Sequence, residues 1–176
     1  MNPVRSATKI AVPWEQRPFE VANLFNPAFC ALIVRQTVQA YQKVTHQGMD
    51  YSMLFLVLPI VLHKATRELL PVGVASKFHV WIQRHHHLRV GFADRMQNMV
   101  PITREALLFG LQHQVLQVDE AGLLTVGVRR PKPYEKEVDA KSEVAKCLKK
   151  ADFVGRWFAD AGTTATILAA WGVKVY

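Results

Sequence analysis

Apolar positions along this chain fall into blocks of two kinds. Most repeat at three- and four-residue steps, the spacing of one face of an α-helix, and one block is apolar without interruption. That block runs from Met53 to Leu62 inside the stretch YSMLFLVLPIVLHKATRELLP, Tyr51 to Pro71, and turns polar at His63, Lys64, Thr66, Arg67 and Glu68. Ten apolar residues fall well short of the roughly 18 that suggest a membrane span, so the block predicts an element at the centre of a core. Pro59 argues for a broken helix, although the β-branched and aromatic content would also fit a strand. The five polar residues at its end either solvate the exit of the buried element or form a contact site that the buried part holds rigid.

The flanking blocks are helical. Asn26 followed by Pro27 is an N-cap with proline at the first helical position, and Phe29, Leu32, Ile33, Val38 and Tyr41 then recur on one face to about Val44. Thr45 to Gly48 breaks this helix, and Asp50 is placed to cap the central element. After a turn from Pro71 to Ala75, Ser76 predicts the cap of a helix from Lys77 to about His85. A second helix is expected from His86 to Met99, with a break at Val100 and Pro101 and a new start at Thr103. Two short alternating runs follow, Val115 to Val118 and Leu123 to Val128. Asp119, Glu120, Ala121 and Gly122 between them complete the pattern of a β-hairpin.

Beyond the hairpin, RRPKPYEKEVD from Arg129 to Asp139 holds two prolines and seven charges and reads as an exposed linker. Ala140 to Ala161 is a long amphipathic pattern with Val144, Leu148, Ala151, Val154, Trp157 and Phe158 on one side and Lys141, Lys146, Lys149 and Lys150 largely on the other. Gly162 ends it, and Thr163 or Thr164 starts a last short helix through Trp171. The expected organisation is a flexible arm over 1–16, a helical core with its hairpin over 17–130, a linker over 131–139, and a helical segment over 140–176 packing on the core or on a partner. The fold class is mainly α (α+β). Three short helices and a hairpin in that order also suggest a part resembling a winged helix-turn-helix.

Composition narrows the function classes. The net charge of +8 is spread along the chain, seven cationic against four acidic residues before Ser76 and fifteen against ten from there on, which permits an anionic partner without requiring one. Cys30 and Cys147 lack C-x-x-C spacing and read as small core residues of a cytoplasmic protein. The first thirteen residues lack the apolar region of a signal peptide. His85, His86 and His87 are adjacent, so on a helix they point about 100° apart and do not converge on one ion. No phosphate loop, nucleophile elbow or paired catalytic carboxylate is visible, so neither an enzyme nor a cofactor is predicted. As a DNA-reading helix, Thr103 to His113 would offer only Arg104, Gln112 and His113 as long polar groups against Glu105. Arg84, Arg89 and Arg95 are the candidates for phosphate contact.

Four segments carry a resemblance to a known family: RPFEVANLFNPAFCALIV, GMDYSMLFLVLPIVLHKATRELLP, ITREALLFGL and GRWFADAGTTATILAAWGV. Together they resemble the small middle component of bacterial three-component ABC systems, operons related to the Lamassu anti-phage and anti-plasmid defence systems. The resemblance covers about Arg17 to Val173. It implies an adaptor without a catalytic site, bridging an SMC-like ABC ATPase that senses DNA and an effector, commonly a nuclease. His63, Lys64, Thr66, Arg67 and Glu68 match the family's motif and are candidates for partner binding. Trp157, Phe158 and Trp171 are further candidates, since large aromatic residues commonly anchor interfaces. The competing class is a free-standing winged-helix regulator that binds DNA.

Overall fold

The computed structural model describes residues 25–132 and 139–173, together with Gln16. The arm expected over 1–16, apart from Gln16, the approach segment from residue 17 to 24 and most of the expected linker lie outside the described residues. Helix α1, Pro27–Thr45, starts where the sequence predicts, with Asn26 Oδ1 accepting from the amides of Ala28 at 2.9 Å and Phe29 at 3.3 Å. Replacing Asn26 with alanine removes the acceptor of two otherwise unpaired amides and should cost about 1 kcal/mol, read as a lowered urea midpoint with an unchanged m-value.

The apolar block forms helix α2, Tyr51–Val61, capped by Asp50 through the Ser52 amide at 2.8 Å. Met53, Leu54 and the run from Leu56 to Val61 are buried, so this helix is apolar on almost every side, with Tyr51 exposed and Phe55 half-buried near its start. Around it lie α1, helix α3 (Lys64–Leu69), helix α5 (Phe92–Gln112), helix α6 (Glu143–Ala159) and helix α7 (Thr164–Ala170). The break expected at Pro59 does not occur. The helix continues through the proline, and the break falls at Leu62 and His63, where the sequence changes from apolar to polar.

Helix α4, Phe78–Arg84, begins one residue later than predicted, and its cap position is Lys77, with no side-chain cap bond. Ser76 serves elsewhere: its carbonyl accepts from Trp157 Nε1 at 2.7 Å. A short 3₁₀ turn, His86–Arg89, follows, and Gly91 at φ +68° turns the chain into α5.

The largest departure from the sequence reading is α5 itself. It runs unbroken for 21 residues with Pro101 inside, so neither the helix ending at Met99 nor the fresh start at Thr103 exists. The lost hydrogen bond at Pro101 is outweighed by burial on both sides of it: Phe92 and Met99 before, Thr103, Ala106 and Leu107 after, in a helix that packs on α1 and α2. Without a turn at that point, the three-short-helix order behind the winged-helix reading is not formed there.

Strands β1, Leu116–Val118, and β2, Leu124–Val126, pair antiparallel with Gln117 opposite Thr125. Asp119 Oδ1 fixes their turn by accepting from the amides of Ala121 at 3.0 Å and Leu123 at 2.9 Å. Met49 adds a bridge on the other edge of β2, exchanging both backbone hydrogen bonds with Leu124. Helix α6, capped by Ser142 Oγ on the Ala145 amide, lies along α1. The two backbones approach closely where Gly155 of α6 meets Thr37 and Ala40 of α1.

Candidate functional site

The polar residues after α2 meet a problem that the helix creates. Its last carbonyls have no intrahelical donor, and they end inside the core, where an unpaired carbonyl is costly. Arg67 resolves it. Folded back from α3, its Nη1 donates to the Val61 carbonyl at 2.9 Å, and Cys147 Sγ makes a longer contact of 3.8 Å to the same oxygen. The Nη2 group pairs with Glu143 in the first turn of α6. The residue is 4% exposed, so a guanidinium is buried here to join three helices.

His63 and Thr66 form the second part. The Thr66 amide donates to His63 Nδ1 at 3.3 Å, which caps α3, and Thr66 Oγ1 lies 2.8 Å from the same nitrogen. An Nδ1 that accepts from an amide carries no proton, so the ring is held as the neutral Nε2–H tautomer. Burial, then the positive charges of Arg95 and Arg67, push the imidazole below its ordinary value. The unfolded chain therefore takes up the proton more readily. Stability from this group is whole above about pH 6.5, the ordinary imidazole value, and is lost as pH falls through the lower folded value. A melting temperature that declines from pH 7 to 5 is expected, and His63→Asn, which can still cap, should flatten the decline. An equal slope in both proteins would refute this assignment.

Arg95, in the first turn of α5, reaches the same place, with Nη2 3.5 Å from Thr66 Oγ1 and its guanidinium 5.2 Å from the Phe92 ring centre. Lys64 and Glu68 are exposed and face each other at 3.9 Å. The five polar residues of the motif thus divide: Arg67 and Thr66 are buried in the fold, His63 is half-buried, and Lys64 and Glu68 remain at the surface. Glu143 and Arg95, which complete the cluster, are far away in sequence, and no local signal pointed to either of them.

The aromatic candidates are internal. Trp157 is 1% exposed, and Phe158 and Trp171 are fully buried. Trp157 meets Phe78 and Trp81 edge-on at 4.9 and 5.1 Å, and Trp171 stacks on Phe92 at 4.4 Å. They close the core between α4, α5, α6 and α7 instead of presenting a surface. Arg84 and Arg89 are exposed, whereas Arg95 is half-buried against α3. The histidines diverge: His85 stacks on Trp81 at 4.5 Å, His79 Nε2 donates to the Ala161 carbonyl at 2.7 Å, and His86 and His87 are exposed. Among the described residues no three His, Cys, Asp or Glu side chains gather as a metal site, and no helix is long and apolar enough to cross a membrane.

Fold and cluster together define a small, mainly α-helical protein, in which one hairpin and one buried arginine tie the ends of the helices. The chain belongs to the ABC-three component (ABC-3C) system Middle Component 3 family, whose model matches residues 14–175. It is therefore a component of a three-component ABC system. No curated protein and no solved structure matches it.

Proposed function

We propose that this chain is a non-catalytic adaptor that bridges an SMC-like, DNA-sensing ATPase and an effector, a nuclease, in a cytoplasmic defence complex of the Lamassu-related kind. The observation that carries this reading is membership of a middle-component family over nearly the whole chain. The cluster at the end of α2 supports it. Arg67, Thr66 and His63 are engaged in capping and cross-linking helices, which suits a rigid spacer, and Lys64 and Glu68, paired with each other, are the members exposed to a partner. A rigid body transmits a signal by binding one state of the ATPase more tightly than another, so that release or capture of the effector follows the state of the ATPase.

Co-expression of the tagged chain with the products of its two neighbouring genes tests the reading. A defined complex with both, of fixed subunit ratio by native mass measurement, is the expected result. Recovery of the chain alone, shifting DNA by itself, would replace the adaptor with a DNA-binding regulator.

A further inference from the structure

From Leu69 to Ala93 the chain has no acidic residue, yet it carries Lys77, Arg84, Arg89, His79 and the run His85, His86 and His87. The fold employs three of these. Lys77 pairs with Asp160 at 2.5 Å, His79 donates to the Ala161 carbonyl, and His85 stacks on Trp81 with Nδ1 2.9 Å from the Trp81 carbonyl. Arg84, His86, His87 and Arg89 are left over, all four exposed, and neither arginine has an ion pair among the described residues. They are nevertheless held in place. Trp81 and Leu88 are buried beneath them, and the Leu88 and Val90 amides donate to the His85 and His87 carbonyls at 2.9 and 3.2 Å. The His87 ring lies 6.0 Å from that of His85 and 6.3 Å from that of His86. Residues three apart eclipse in a 3₁₀ turn, so His86 and Arg89 leave it on the same side. Arg89 runs alongside Gly172 at the exit of α7, with Nη2 3.7 Å from where a Cβ would stand.

We propose, building on the adaptor reading, that the corner formed by the end of α4 and the 3₁₀ turn, with Arg84, His86, His87 and Arg89 exposed on it, contacts the phosphate backbone of DNA held by the assembled complex. Two guanidiniums with two imidazoles between them along six residues offer N–H donors in succession, which suits a row of like anions, and an imidazole donates to a phosphate oxygen whether or not it is charged. An acidic face of a partner protein is the competing occupant. A specific protein interface is built around large side chains that bury in the partner, and here the large ones face inward: Phe78 and Trp81 are buried, and the apolar residues left exposed are Val80 and Val90. Asp94, the nearest acid in sequence, comes only after Gly91 has turned the chain into α5. Four contacts of this kind release few counterions, so the corner adds to a grip made mainly by other subunits and does not hold DNA by itself.

The test measures duplex DNA binding by the complex with the two neighbouring gene products, as a function of salt. Each phosphate contact removed lessens the slope of log K against log salt by about 0.9, so Arg84→Gln combined with Arg89→Gln should make it shallower by about 1.8, and equally for duplexes of unrelated sequence. The subunit ratio of the complex and the melting temperature of the free chain should not change, because both side chains are exposed and outside any ion pair. A photo-crosslinker in place of His87 in the otherwise unaltered chain gives a readout that does not rest on the arginine variants folding, and it should label the DNA. An unchanged slope in a variant complex that forms, label on a partner protein instead of DNA, or an intact complex that binds no DNA would overturn the proposal while leaving the adaptor reading in place. Failure of the unaltered chain to assemble would instead remove the adaptor reading, and this inference with it.

Discussion

Gly155→Ala is expected to be strongly destabilising, although it adds a single methyl group. A Cβ at that position would lie 2.2 Å from the Thr37 carbonyl oxygen and 2.8 Å from Ala40 Cβ. Neither neighbour can swing aside. The first is backbone in the middle of α1, and the second is a methyl group with no rotamer to change. Relief therefore requires α1 and α6 to part over a face where Thr37, Ala40, Ala151 and Val154 are fully buried. Overpacking of this kind costs about 3 kcal/mol, which for a chain of this size lowers the melting temperature by roughly 10 °C. Gly73→Ala is the control, since no atom lies within 4 Å of the added methyl, and its effect should be close to nil. If the two variants melt together, the close approach of α1 and α6 is wrong.

Arg67→Met comes second, and comparison with Glu143→Gln identifies where its cost arises. Methionine retains most of the stem volume, so little cavity is made. What is lost is the donor to Val61, leaving a buried carbonyl with only a long thiol contact, at a cost of about 2 kcal/mol. Glu143 is different because more than half of its side chain faces water and it keeps Lys146 as a neighbour, so Glu143→Gln should be much milder. Urea midpoints of the two single variants check this. Equal losses would mean that the ion pair, not the carbonyl, holds the junction.

These outcomes bear on what a single sequence can tell. Local signals were legible because they act within a few residues: Asn26 with Pro27, Asp50, the Asp119 to Gly122 turn and Thr163 all do in the structure what their positions suggest. Pro101 misled for the opposite reason. A proline's local preference is fixed, but whether a helix tolerates it depends on burial before and after, which the chain acquires only when folded. The aromatic residues of α6 and the segment after it were ambiguous in the same way. A tryptophan at a helical spacing fits core and interface equally well, and only the presence of Phe78, Trp81 and Phe92 around Trp157 and Trp171 assigns them to the core. Of the candidate site, the stretch from His63 to Glu68 was visible at the abrupt end of an apolar run. The division of its members into buried and exposed was not, because Arg67 finds its carboxylate 76 residues later.

The pairing of α1 with α6 also has a cost in time. Synthesis delivers the apolar face of α1 long before its cover: between Thr37 and Gly155 the ribosome must add more than a hundred residues, which takes about 6–24 s at ordinary elongation rates. Throughout that interval the apolar face of α1 can be covered only by α2, α5 and β2, and the groove that α6 will fill stays open on the nascent chain. A truncated product ending at the hairpin would carry that open groove permanently, which makes the arrival of α6 the step that closes the core.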